Sequence, residues 1–140
     1  MVVASPRTSR NHPLTISWEK LPDDFPLPDD PVDNVNQPAL AAALTDSLHQ
    51  AGRMAETAFT LTNYGICATI NEQIVVKAPD WGYVENITVP RSEIERSYTP
   101  NLQGPVPSIV MEFISETAGD EYSNKPTYPP GKWFYYESVL

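Results

Sequence analysis

The chain has 140 residues, enough for one domain with its own core and too few for two. Its net charge of −9 argues against a protein that coats nucleic acid, because phosphate contacts need clustered Lys and Arg, and it fits a carboxylate-lined cation site equally well. One cysteine, Cys67, excludes an internal disulfide and a cysteine-based zinc site, and its apolar surroundings predict a small buried side chain.

No signal peptide or membrane span is predicted. The N-terminal residues lack the apolar stretch of a signal peptide. No apolar run approaches the ~20 residues needed to cross a bilayer. A cytoplasmic location without membrane contact is therefore expected.

The first 37 residues contain six prolines and keep neither a helical nor a strand period. We therefore predict an irregular, proline-rich arm over residues 1–37 and a folded core over residues 38–140. The core opens with a helix predicted over residues 38–51, where Pro38 suits the first turn and Gly52 the stop. Apolar residues at spacings of four and three give this helix one apolar stripe: Leu40, Leu44, Leu48 and Ala51.

The pattern then changes to strands. A hairpin is predicted from residues 66–70 and 73–78, joined at Asn71-Glu72. Residues 86–106 form a long polar connection of the kind that is usually functional or mobile. The remaining predicted elements are strands at residues 58–62, 81–84 and 108–115, a proline-rich loop at 116–130 and the start of a helix at 131–140.

Glu112 lies within the most apolar of these strands. Alternate residues point to opposite faces, and both faces of this strand are apolar, which predicts a central strand covered on both sides. A carboxylate in such a place must be paired, protonated or bound to a metal. This strand alone supports two interpretations of Glu112 equally: a buried ion pair with a Lys or Arg, and a functional role.

Asp80 follows Pro79 at an interruption between two strand-like segments. Pro79 removes a ladder donor, so the strand is expected to bend there and re-aim Asp80. An Asp at such a break is commonly only a turn former. Taken together with Glu112, however, it offers a second carboxylate on a neighbouring strand, and two carboxylates beside a backbone carbonyl suit a hard cation such as Mg²⁺.

Several local stretches resemble the Uma2 family, in particular its cyanobacterial branch, whose members resemble restriction-type PD-(D/E)xK nucleases. The resemblance covers roughly residues 38–140 and rests on Pro79-Asp80, on the strand ending in Glu112, and on three longer strings. These strings are Val-Lys-Ala-Pro-Asp-Trp at 76–81, Arg-Ser-Tyr-Thr-Pro at 96–100 and Lys-Pro-Thr-Tyr-Pro-Pro-Gly-Lys-Trp-Phe at 125–134.

The resemblance implies an α/β, restriction-endonuclease-like fold, a mixed β-sheet flanked by helices. It implies that Asp80, Glu112 and the Phe113 carbonyl bind Mg²⁺ or Mn²⁺, with Asp80, Glu112 and Lys132 as the catalytic residues. The usual lysine two positions after the Glu is absent, since Ile114 stands there, and Lys132 at the start of the following helix matches a migrated lysine. Lys125 is the alternative.

The expected activity is Mg²⁺-dependent hydrolysis of phosphodiester bonds in DNA. A basic strip of Lys77, Arg91, Arg96, Lys125 and Lys132 is expected to meet DNA. Family members continue beyond the helix in which this sequence stops, so the fold is expected to be truncated at its C-terminus and to self-associate, as a homodimer or more, through an open strand edge. The alternatives are an inactive nuclease-fold binding module, with Trp81 and Trp133 among its interface anchors, and a truncated gene product.

Overall fold

The computed structural model describes residues 2–3, 7–9, 12–26, 36–114 and 122–140, and every structural statement below concerns those residues. They form mixed α/β structure with two α-helices, α1 over Gln37–Gln50 and α2 over Lys132–Ser138. The four N-terminal strands are β1 Val2–Val3, β2 Arg7–Ser9, β3 His12–Leu14 and β4 Ile16–Trp18. The later strands are β5 Phe59–Leu61, β6 Ile66–Ile70, β7 Gln73–Lys77, β8 Trp81–Val84 and β9 Ile109–Met111.

The strands form separate antiparallel sheets instead of the one mixed sheet that was predicted. One sheet has the order β1-β4-β6-β7, a second has the order β5-β8-β9, and β2 pairs with β3 alone. The one described parallel contact is an isolated bridge between Ile66 and Tyr98. A two-residue turn joins β6 to β7, and a connection this short permits antiparallel pairing only.

The predicted hairpin is confirmed. Strand β6 pairs with β7 from Ile66↔Lys77 to Ile70↔Gln73, and Asn71 and Glu72 make the two-residue turn. Both turn residues have positive φ, 49° and 65°, as the twist of a two-residue hairpin requires. All five residues of β6 are buried, including Cys67 as predicted, so β6 carries the centre of the core.

Pro79 separates two strands that belong to different sheets. Strand β7 lies at the end of the four-stranded sheet, whereas β8, which begins two residues after Pro79, lies between β5 and β9. The backbone N–H of Asn63 donates to the Pro79 carbonyl at 3.0 Å. The predicted bend is thus a change of sheet, consistent with the missing ladder donor at proline.

Helix α1 matches its predicted range within one residue at each end, and its predicted apolar stripe is only partly buried: Leu44 and Leu48 are half-buried, whereas Ala51 is exposed. Leu40 is 48% exposed, and Ala41 is the buried residue of the helix. The face that meets the three-stranded sheet contains Thr45, whose hydroxyl lies 3.0 Å from Nε1 of Trp81 and 3.1 Å from the Thr60 hydroxyl. A polar anchor on the sheet therefore decides which face turns inward.

The strand that carries Glu112 is also corrected. Strand β9 is an edge strand three residues long and pairs with β8 alone among the described strands. Ile109 and Met111 are 39% and 37% exposed, and Ile114 is 70% exposed. Apolar residues on both faces resembled a central strand in the sequence, yet here one face remains open to solvent.

Residues 86–106 contribute several buried side chains, although a polar connection of this length suggested a functional or mobile loop. Tyr98 is fully buried, and Ser97, Thr99 and Gln103 are buried as well. The backbone of Tyr98 accepts from Cys67 at 2.8 Å and donates to Gly65 at 2.9 Å. Two backbone hydrogen bonds and a buried ring hold this connection against β6.

Four short strands lie within residues 1–37, where an irregular arm was predicted, whereas residues 19–26 are irregular. Strand β4 pairs with β6 through Ile16↔Ile70 and Ser17↔Thr69, and β1 pairs with β4. Ile16 and Trp18 are 1% and 2% exposed. Strands this short give no readable period in the sequence, and their pairing comes from a partner strand about fifty residues away. No helix in the described ranges is long and apolar enough to cross a membrane.

Candidate active site

Asp80 and Glu112 meet because two paired strands end beside each other. Trp81 of β8 lies opposite Met111 of β9 in an antiparallel register. Asp80 precedes Trp81 and Glu112 follows Met111, so both carboxylates come to the same end of the sheet. The backbone N–H of Phe113 donates to Oδ2 of Asp80 at 2.5 Å, which ties the two strand ends together.

Helix α2 brings Lys132 and Tyr136 to Glu112. These two residues are four apart and therefore share one face of the helix. Nζ of Lys132 lies 3.1 Å from Oε1 and 3.2 Å from Oε2 of Glu112, and the Tyr136 hydroxyl donates to Oε1 at 2.6 Å. Nζ also donates to the Ala78 carbonyl at 3.0 Å, beside the Pro79 break.

This ion pair is almost entirely withdrawn from water. The side chains of Lys132 and Glu112 are 5% and 0% exposed. Burial, and to a smaller extent the nearby charge of Asp80, raise the pKa of Glu112, and its resulting pKa is about 7. The Tyr136 hydrogen bond and the charge and hydrogen bond of Lys132 act in the opposite direction. Glu112 therefore exchanges its proton close to neutral pH.

A small cavity adjoins Asp80. Its volume is about 40 Å³, enough for one or a few water-sized species, since one water needs ~10–15 Å³ of such space. The Phe113 carbonyl at this place accepts a hydrogen bond of 2.9 Å from Nε2 of Gln37, which anchors the first turn of α1 to the site. The lining residues are Gln37, Pro38, Thr62, Asn63, Asp80 and Phe113.

The donor set suits a hard cation. Two carboxylates and the Phe113 carbonyl supply oxygen ligands only, the kind that Mg²⁺ and Mn²⁺ prefer. Among the described residues no group of three or more His, Cys, Asp or Glu side chains is placed to hold a metal. A cation here would thus depend on two carboxylates, a carbonyl and water, as Mg²⁺ sites often do.

The structure brings Asp80, Glu112, Phe113 and Lys132 to one place. Lys125, the alternative lysine, is exposed, and its described contacts are made by its backbone, to Ser123 and Gly131. Tyr136 and Gln37 are the site residues that sequence reasoning missed. The spacing of Tyr136 from Lys132 was a readable signal, whereas the approach of Gln37 to Phe113 depends on how α1 docks.

Three of the five residues of the expected basic strip make contacts within the chain. Lys132 is buried against Glu112. The Arg91 guanidinium donates to the carbonyls of Glu56 and Ala58, at 3.2 and 2.8 Å. Arg96 donates to the carbonyls of two residues in the N-terminal turn, Pro22 at 2.6 Å and Phe25. Arg91 and Arg96 thus hold neighbouring segments of the chain in place through their carbonyl groups.

Comparison of the chain with protein-family models, with curated proteins and with solved structures finds no match. The site geometry is therefore the basis of the functional argument.

Proposed function

We propose that the protein is a Mg²⁺- or Mn²⁺-dependent endonuclease that hydrolyses phosphodiester bonds in DNA, on a restriction-endonuclease-like core. One observation carries the proposal. A lysine from a helix 20 residues further along the chain is buried against Glu112, at the strand end that also bears Asp80. Two carboxylates and a lysine at one sheet end are what metal-assisted phosphoryl transfer needs.

Each residue has a role that its contacts support. Asp80, Glu112 and the Phe113 carbonyl would hold the cation. A bound Mg²⁺ supplies charge neutralisation at the scissile phosphate and acidifies a water. The charge of Lys132 favours the ionised form of Glu112, and its ammonium would lie where negative charge develops. Tyr136 orients the Glu112 carboxylate through its 2.6 Å hydrogen bond.

A non-catalytic module is the second candidate, and one observation favours it. The Glu112 side chain is fully buried, and both of its oxygens already contact Lys132. A buried ion pair of this kind needs no metal and no substrate to explain it. Trp81, expected as an interface anchor of such a module, is 2% exposed and is therefore a core residue.

Titration calorimetry with Mn²⁺ separates the two candidates. The wild-type protein is expected to bind one ion, and Asp80→Asn and Glu112→Gln are each expected to weaken binding at least tenfold. The exposed Glu137, on the same helix as Lys132, supplies the matched control Glu137→Gln, which should bind as the wild type does. No binding, or equal binding by all four proteins, would refute the metal site and leave the module.

Cleavage of supercoiled plasmid DNA tests the chemistry itself. Wild-type protein with Mg²⁺ should nick the plasmid, and Lys132→Met should lose cleavage while it still binds Mn²⁺, both measured at pH 8.5 so that the Glu112 carboxylate is ionised. Lys125→Met is the matched control and should cleave normally, because Lys125 is exposed and makes no described contact with either carboxylate. Loss of cleavage in Lys125→Met alone would show that the wrong lysine was chosen.

A further inference from the structure

Strand β7 lies at the outer edge of the four-stranded sheet. The sheet order is β1-β4-β6-β7, and in the described ranges β6 is the strand that pairs with β7. An edge strand offers a row of main-chain donors and acceptors to any extended chain that comes beside it. The direction of these groups on β7 follows from the hairpin register.

The main-chain N–H and C=O groups of Ile74 and Val76 point outward from the sheet edge at β7. In a two-residue hairpin the pair that flanks the turn, here Ile70↔Gln73, exchanges both main-chain hydrogen bonds, and every second pair repeats this. Ile74 and Val76 fall on the alternate pairs, so their N–H and C=O groups point away from β6. Cys67, the partner of Val76, behaves accordingly, because its N–H donates at 2.8 Å to Tyr98 on the opposite side of β6.

A groove runs along this edge. Its volume is about 460 Å³, within the ~300–1,000 Å³ range of ligand pockets. Four consecutive residues of β7, 74–77, line it, although neighbours in a strand point their side chains to opposite faces. The groove therefore follows the main-chain edge. Its walls are Phe25 with Pro26 and Tyr128 with Pro129.

The Phe25 wall is fixed to the core. Arg96 donates to the carbonyl oxygens of Pro22 and Phe25, and the Phe25 N–H donates to Pro22 at 3.1 Å. On the other wall Tyr128 is 54% exposed, so much of its ring remains available for contact. Two apolar walls beside an open main-chain edge leave space for a single extended chain.

We propose that this β7 groove binds an extended segment of a partner protein by strand addition. The segment would carry apolar residues at alternate positions, because main-chain pairing gives affinity while side-chain pockets on alternate residues give specificity. Lys or Arg at its other positions would complement the carboxylates beside the groove. Asp23 and Asp24 are exposed just before Phe25, and Glu72 is exposed just before β7.

Other occupants fit less well. Residues 27–35 and 115–121 of this chain lie outside the described ranges, and their sequences, LPDDPVDNV and SETAGDE, carry acidic residues or prolines where a strand needs alternating apolar ones. A second copy of β7 would bring its own two walls against the first pair. A separate, narrow peptide avoids both difficulties.

The test uses a phage-displayed library of eight-residue peptides selected on the intact protein. We expect enriched peptides with alternating apolar residues that bind the wild type. Val76→Pro removes one outward N–H and spares the β6 ladder, and Tyr128→Ala removes a wall; each should weaken binding at least tenfold. Met111→Ala, a change on the edge strand β9 of the other sheet, is the matched control and should bind normally.

Peptide synthesis keeps the test valid if Val76→Pro fails to fold. A selected peptide N-methylated on the alternate nitrogens that face β7 should lose binding, and the same peptide methylated on the other set should retain it. Amide exchange by NMR should show Ile74 and Val76 exchanging freely alone and protected with peptide. The proposal would be overturned if both methylated peptides bound equally or if selection enriched no common pattern. It would also be overturned if both amides were protected in the peptide-free monomer, or if the protein formed a dimer that Val76→Pro abolished.

Discussion

Replacing Lys132 by methionine would leave a buried carboxylate without its counter-charge. The Lys132 side chain is 5% exposed and Glu112 is 0% exposed, so water cannot solvate the carboxylate that remains. Met keeps the length and apolar stem of Lys but removes the ammonium. The change therefore isolates the charge from the packing.

The expected loss of stability is about 3–4 kcal/mol at pH 8.5. Removing one partner of a buried ion pair costs ~3–5 kcal/mol, because the other charge stays buried and uncompensated. The Ala78 carbonyl also loses its donor, whereas Tyr136 still donates to Glu112, which offsets part of the cost. At pH 5 Glu112 binds a proton, since its pKa is about 7 with Lys132 present and higher without it. The loss should then fall to about 1 kcal/mol, the value of one or two neutral hydrogen bonds.

Urea unfolding followed by tryptophan fluorescence measures these differences. Wild type, Lys132→Met, Glu112→Gln and the double variant form a cycle, measured at pH 5 and pH 8.5. The double variant should recover most of the stability that Lys132→Met loses at pH 8.5, since neither position then carries an uncompensated charge. The exposed Lys125→Met serves as the control and should change stability by less than ~0.5 kcal/mol. A loss in Lys132→Met that is equal at both pH values would refute the buried-charge reasoning.

Three further predictions concern other parts of the molecule. Folding raises the pKa of Glu112 from 4.5 to about 7, so the protonated carboxyl stabilises the fold fully below pH 4.5, and this contribution is lost as pH rises through about 7. Calorimetric melts should therefore show a melting temperature that falls over this pH range in wild type and not in Glu112→Gln. Thr45→Val removes the acceptor for Trp81 Nε1 and should cost ~1–3 kcal/mol in urea unfolding, against a small effect for a change at an exposed helix position. The open β9 edge predicts self-association by light scattering, which Ile109→Lys with Met111→Lys should reverse; a clean wild-type monomer would contradict it.

Local elements could be predicted from the sequence because their signals are local. The range of α1 follows from Pro38 and Gly52 at its ends, and the β6–β7 hairpin follows from two apolar runs separated by two turn residues. The assembly of Asp80, Glu112 and Lys132 was expected from a proline break and from a resemblance, and the structure places these residues together. Tyr136 lies four residues after Lys132, and residues four apart share one face of a helix, so this spacing would have predicted Tyr136 as a site residue.

Tertiary structure alone determined which faces of the helices and strands are exposed to solvent. The apolar residues of β9 could not reveal an edge, because edge or centre depends on whether another strand arrives at that side. The leucines of α1 could not reveal that Thr45 turns inward, because that preference comes from the Trp81 indole on a strand 36 residues away. The short strand β4 acquires its pairing from β6 in the same way. Local propensity sets which elements form, and contacts between residues distant in the chain set which of their faces are buried.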